Sequence, residues 1–211
     1  MGQDNTSYSS PMKDVRGYFP YEIVREIVEV CPDKRFALIF EVLARTGRRV
    51  SEVVRSLKPM DIDFNTGLVK WRILKRKKKY DVKGNLLPAP TDTLPIGDDL
   101  KQKLANYIVK HSIASDDFVF PFSPQYVDRK FKMTCKCLKN PILTWGSLIR
   151  NKPHVHILRH SFAVRRAKKM KSPEDLKKLQ NMLGHANIGT TMHYLKYNPE
   201  EMKTLLEGDW D

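Results

Sequence analysis

The chain has 211 residues, 41% of them hydrophobic, enough for one good-sized domain or two small ones. No apolar run approaches the ~20 residues of a membrane helix, and the amino terminus has neither the basic start nor the apolar stretch of a secretory signal, so a cytoplasmic protein is expected. Thirty-eight Lys and Arg against 24 Asp and Glu leave a net charge of +14, which points to nucleic acid or an anionic membrane surface as partner.

Residues 1 to about 16 are polar and without periodicity, and predict a loose arm. Pro20 then suits a first helical position, and Ile23, Val24, Ile27, Val28 and Cys31 recur at helical spacing. Asp33 can cap a second helix through Arg45, with Phe36, Ile39, Phe40 and Leu43 facing inward. Gly47 breaks it, and a short third helix begins around Arg48, placing Arg49 and Glu52 three apart as surface neighbours.

A strand signal follows. Asp61–Phe64, the turn Asn65-Thr66-Gly67 and Leu68–Leu74 read as a hairpin, in which Val69, Trp71 and Ile73 alternate with Lys70 and Arg72. The second strand runs into Lys75-Arg76-Lys77-Lys78-Lys79, and Thr93–Ile96 predicts a third strand whose proline suggests an edge. A small antiparallel sheet in a mainly helical protein, with a basic tip, is the expectation.

Asp98 or Asp99 can cap a helix over 100–110 with Leu100, Leu104, Tyr107 and Ile108 as its stripe, and Ser123 or Pro124 opens another to about Leu138. Between Arg129 and Lys171 stand thirteen Lys or Arg and no Asp or Glu, where a merely solubilising surface would mix signs. This run favours nucleic acid over the membrane. A loop over about 140–153 holds Trp145, and a helix runs from about His156 to Met170. Ser172-Pro173-Glu174-Asp175 starts the next helix, which ends at Gly184. A helical segment around 190–197 and a terminal helix from Asn198 to about Gly208 complete the chain.

Three chemical features stand out. Cys31, Cys135 and Cys137 cannot form a disulfide framework, and Cys135 and Cys137 have no matching second pair for zinc. His154, His156, His160 and His193 lack the carboxylate or thiolate company a metal site needs. His156 and Arg159, three apart on one helix, share a face and can grip one anion; His185 follows a glycine stop, and Tyr194 comes nine residues later. Cations around a phosphodiester make a tyrosine a usable nucleophile.

Four blocks, Thr46-Gly47-Arg48-Arg49-Val50-Ser51-Glu52-Val53, His156-Ile157-Leu158-Arg159-His160-Ser161-Phe162-Ala163, Leu183-Gly184-His185 and the following Tyr194, resemble the signatures of the tyrosine recombinase (phage integrase) family in order and approximate spacing. The resemblance covers roughly residues 18 to 200 and implies that family's mainly helical α+β breaking-rejoining fold with a three-stranded antiparallel sheet. It implies that Arg49 and Arg159 hold the scissile phosphate, that His156 moves the proton at the nucleophile, that His185 hydrogen-bonds the phosphate and that Tyr194 attacks to leave a 3′-phosphotyrosyl link and a 5′ hydroxyl. Glu52 would support the arginines, and Tyr197 is the nearest rival nucleophile. A hairpin lysine would protonate the leaving oxygen, Lys75 by its distance from Trp71 and Ile73, with Lys77 and Lys78 as alternatives. Arg48, Arg76, Lys77, Lys78, Arg150, Lys152, Arg165 and Arg166 are expected to contact double-stranded DNA.

The same resemblance implies a site-specific recombinase or integrase that needs no cofactor or metal. It would work as a homotetramer on DNA, with a monomer as the form expected when free, and be nucleoid-associated. A type IB topoisomerase-like relaxation activity and a catalytically silent DNA-binding module are the alternatives. By this reading residues 1–17 are a flexible arm and 18–211 the catalytic domain, without the family's usual amino-terminal core-binding domain.

Overall fold

The computed structural model describes residues 17–74, 81–83, 85, 87–139, 153–185 and 187–194. The expected arm over 1–16, the basic run Lys75–Lys79, the loop holding Trp145, Arg150 and Lys152, Tyr197 and the terminal helix all lie outside them.

Helix α1 (Tyr21–Val30) follows Pro20 and buries Val24 and Ile27. Helix α2 (Lys34–Thr46) starts where the Asp33 carboxylate accepts the Arg35 N–H at 3.0 Å, and it buries the expected Phe36, Ile39, Phe40 and Leu43. Gly47 closes α2 in the left-handed region (φ 67°), its N–H returning to the Leu43 carbonyl at 3.0 Å. A Cβ at Gly47 would lie 2.4 Å from the Phe162 ring, so glycine is required here by space as well as by backbone angle. The chain then turns at once into the short α3 (Val50–Val54).

The sheet differs from expectation. Among the described residues it has two strands, β1 (Leu68–Arg72) and β2 (Thr91–Pro95), antiparallel, with Trp71 opposite Asp92. The expected first strand shrinks to one bridge, Ile62 to Val69. Asp63 is the cause: its carboxylate accepts the Asn65 and Thr66 N–H groups (2.9 and 3.2 Å) and the Thr66 hydroxyl (2.6 Å), so the chain coils before a ladder can form. Before it, Pro59–Asp61 is a 3-10 turn, and Arg72 ties β1 to this turn through both oxygens of Asp61. The inward residues are the predicted ones, with Val69 and Trp71 buried at 0% and 1% exposure.

Helix α4 (Asp98–Lys110) is preceded by Gly97 at the cap position, so neither expected aspartate caps it; Asp99 instead pairs with Arg45 of α2. Helix α5 (Pro124–Cys135) begins at Ser123, whose hydroxyl accepts the Tyr126 N–H at 3.1 Å. Helix α6 (Ile157–Ala167) is buried continuously from Ile157 to Val164, stops three residues short of the predicted Met170, and packs on α2 and α1. Helix α7 (Pro173–Leu183) ends on Gly184 at φ 62°, and Asn187 caps the short α8 (Ile188–Met192), which starts earlier than expected.

Two clusters of buried side chains form the interior. The larger joins α1 to α5 with the sheet and the start of α6. The smaller holds Phe162, Ala163, Val164, Ala167, Met170, Leu179, Leu183 and Tyr194. No described helix is long and apolar enough to cross a membrane. Cys31 and Cys135 are buried free thiols and Cys137 is an exposed one.

Candidate active site

The α2–α3 link places Arg49. Its backbone N–H and its Nη1 both donate to the Glu52 carboxylate, at 3.1 and 2.9 Å. Glu52 is fully buried while the Arg49 side chain keeps 18% of its surface. The expectation of a surface ion pair is therefore corrected, because the carboxylate lies inside and fixes the direction of the guanidinium. Such a pair is oriented, not merely attracted.

Arg159 comes from α6 and is 3% exposed. Its Nη1 donates to the Gly47 carbonyl and its Nη2 to the Leu183 carbonyl, each at 2.7 Å. One side chain thus joins the ends of α2 and α7, both of which would otherwise present orphan carbonyls. Burial, reinforced by the Arg49 charge, draws its pKa down to about 10, still far above neutrality. Three of its five N–H groups remain for another acceptor.

His156 stands at the position before α6 and lies near Arg159, Arg49, His154 and His160; burial first, then their charges, push its pKa down to about 3. The imidazole is therefore neutral at pH 7 and can accept a proton. The sign for stability follows. Below about pH 6.5 the unfolded histidine takes up a proton that the folded one refuses until near pH 3, so stability present at pH 7 is lost as the pH falls between them. His156→Asn should lessen the loss between pH 7 and pH 4.5 by roughly 2 kcal/mol, read from urea midpoints. Equal losses in both proteins would contradict the buried neutral ring.

The Tyr194 hydroxyl lies 2.9 Å from Nδ1 of His160, and the tyrosine is 9% exposed. The His160 ring meets that of His156 edge-on at 4.9 Å between centroids. Three side chains thus lie in successive contact from the start of α6 to Tyr194, two residues past α8. His160 was considered in the sequence only as a candidate metal ligand. Its position four after His156, on the same helix face, was the signal that could have found it. Among the described residues no group of His, Cys, Asp and Glu is arranged to hold a metal ion.

His185 follows the Gly184 turn. Its Nδ1 lies 2.9 Å from the Thr191 hydroxyl, and its backbone carbonyl accepts from Gln180 Nε2 at 3.0 Å. The turn is adjacent to the Leu183 carbonyl that Arg159 holds, so His185 is linked to the arginines through backbone.

Three expected DNA contacts sit elsewhere. Arg48 is 1% exposed and turns inward beneath the sheet, so the expectation that it reaches DNA is not met in this structure. Arg165 donates to the Ala44 carbonyl at 3.2 Å and stacks on Tyr21. Arg165 and Arg166 line a cavity of about 1020 Å³ between α1, α2, β2 and α6, whose walls include none of Arg49, His156, Arg159, His185 or Tyr194. This hollow and the convergent polar groups are therefore different places, and only the polar groups offer this chemistry. Lys75, Arg76, Lys77, Lys78, Arg150 and Lys152 lie outside the described residues.

Fold and convergent side chains together define the class, a tyrosine recombinase catalytic domain. The phage integrase family model matches residues 20–201, and the chain belongs to that family. It is 30% identical over 188 residues to the tyrosine recombinase XerA of Thermococcus onnurineus, covering 88% of this chain and 60% of that protein. The chain thus spans about three-fifths of such curated relatives. A crystal structure of XerA recombinase superposes with a TM-score of 0.66 at 22% identity, over 93% of this chain and 66% of the other. A XerH site-specific recombinase bound to its difH substrate gives a TM-score of 0.63 at 18% identity, over 91% and 53%.

Proposed function

We propose that this chain is the strand-cleaving domain of a site-specific DNA recombinase acting through Tyr194. The observation that carries this is the convergence of Arg49, Arg159, His156 and Tyr194 from separate stretches of sequence. The fixed cations suit a phosphodiester, whose negative charge grows on nucleophilic attack. Arg49 and Arg159 would hold the non-bridging oxygens, and Glu52 would keep Arg49 aimed. His185 would add a hydrogen bond to the same phosphate.

Tyr194 would leave its hydrogen bond to His160 and attack phosphorus. Its proton passes to neutral His156, whose basicity the negative charge of the bound phosphate would raise above that in the free protein, the P–O bond to tyrosine forms, and the P–O5′ bond breaks. A hairpin lysine, Lys75 or its neighbours Lys77 and Lys78, would give the departing 5′ oxygen a proton. The phosphotyrosyl link conserves the bond energy, so a 5′ hydroxyl can reverse the step. Four protomers on two duplexes would exchange strands, and the similarity to XerH bound to difH supports DNA as the partner.

The test is covalent trapping. A pool of duplexes with a randomised centre and a nick near it lets the short 5′ fragment diffuse away, so cleaved DNA cannot religate. An SDS-resistant adduct at one sequence is expected, and its mapped junction gives the site. Absence of any adduct, with DNA binding intact, would leave only a binding module. Binding itself should fall by several decades between low and moderate salt if roughly half a dozen phosphates are neutralised.

A further inference from the structure

Arg48 is the least expected side chain in the interior. Its guanidinium is fully buried, yet Nε and Nη2 have no hydrogen-bond partner among the described residues. Its closest ionic contact is long, 3.5 Å from Nη1 to Asp92 Oδ2. Its charged carbon stands 5.6 Å over the Trp71 ring. Placing a charge inside a protein with donors unmet is costly, and an apolar side chain would fill the space without that cost. Packing alone does not account for it.

The neighbours of Arg48 do. Trp71 and Asp92 face each other across β1 and β2, at the base from which the chain leaves toward Lys75 and to which it returns. A Cβ on Gly184 would lie 3.5 Å from both Arg48 Nη1 and Asp92 Oδ2, so this ion pair occupies the space next to the turn before His185, and a side chain there would press on it. Arg49 is the next residue in sequence. One guanidinium therefore contacts the base of the ribbon through Asp92 and Trp71 and lies next to the Gly184 turn, beside the link that carries Arg49.

We propose that Arg48 is a positioning residue, a buried strut that sets the β1–β2 ribbon against the Gly184 turn and so aligns the hairpin lysine with the phosphate held by Arg49 and Arg159. The inference rests on the reading of a hairpin lysine as the proton donor to the leaving oxygen.

The test compares two leaving groups in single-turnover cleavage of the mapped site. One substrate has the ordinary phosphodiester; the other has sulfur in place of the bridging 5′ oxygen, a leaving group that needs no proton. Arg48→Met should slow cleavage of the ordinary bond about 10- to 100-fold, the scale of a displaced general acid. The sulfur substrate should be cleaved within about threefold of the unaltered protein, as the proton-donor contribution no longer applies.

Equal losses on both substrates would show a purely structural role and overturn the proposal, as would no loss on either. Should Arg48→Met fail to fold, Asp92→Asn removes the other end of the pair from a half-exposed site and should give the same substrate-selective loss. Lys75→Ala, Lys77→Ala and Lys78→Ala separate the two readings. If one of them is rescued by sulfur and the Arg48 and Asp92 variants are not, the strut fails and the lysine stands. If none is rescued, the proton-donor reading fails and takes the strut with it.

Discussion

Tyr194→Phe should yield no SDS-resistant DNA adduct at all while leaving the fold and DNA binding in place. The phenyl ring keeps its place beside Phe162, Leu179 and Leu183, so packing is conserved. What disappears is the hydroxyl and its 2.9 Å hydrogen bond to His160, a stability loss on the order of 1 kcal/mol. Chemistry has no such fallback, since without the oxygen there is nothing to bond to phosphorus. The measurements are adduct yield by denaturing gel, the urea midpoint, and the salt slope of DNA binding. Tyr197→Phe is the control and should trap DNA as before. An undiminished adduct in Tyr194→Phe would sink the assignment of the nucleophile.

Arg159→Lys should lose both activity and stability, whereas Arg49→Lys should lose activity alone. Arg159 holds the Gly47 and Leu183 carbonyls at 2.7 Å and is almost wholly enclosed. An ammonium is a single point charge on a flexible stem and cannot span two carbonyls and a phosphate together. One carbonyl is left unpaired, at about 1–3 kcal/mol. Cleavage should fall at least about 100-fold, the range seen when one fixed donor to a developing charge is removed. The Arg49 side chain, by contrast, is bound to Glu52 alone among the described residues and is partly open. A lysine there can still meet the carboxylate, so the unfolding free energy read from the urea midpoint should change by less than about 1 kcal/mol while cleavage drops comparably. If both variants melt alike, Arg159 is not the joint between α2 and α7.

The helices were legible because their signals are local. Asp33, Ser123 and Pro173 mark starts, Gly47 and Gly184 mark stops, and the apolar stripe of α2 repeats every three or four residues. The pairing of Arg49 with Glu52 was legible too, as spacing alone makes them neighbours, but its burial was not. Burial depends on what covers a helix, and here distant segments do so. The lost first strand shows the converse, since Asp63 competes for the backbone within four residues and wins over the alternating pattern. Arg48 was misplaced because it stands in a three-residue link without periodicity, where charge suggested surface. The approach of His160 to Tyr194 joins residues 34 apart through a fold the sequence does not spell out.

Tyr194 belongs to the smaller of the two buried clusters, with the latter part of α6 and with α7, on which α8 packs, and not to the larger one built on α2. Small clusters open more readily than the domain that bears them, as cooperative units below the global unfolding free energy. In native-state hydrogen exchange the amides of α7 and α8 should therefore exchange together, and sooner than those at the centre of α2. DNA that seals this subdomain would raise its protection first. Thermal tolerance of the reaction would then be limited by the loosening of this one corner, at temperatures where far-ultraviolet circular dichroism still reports an intact helical protein.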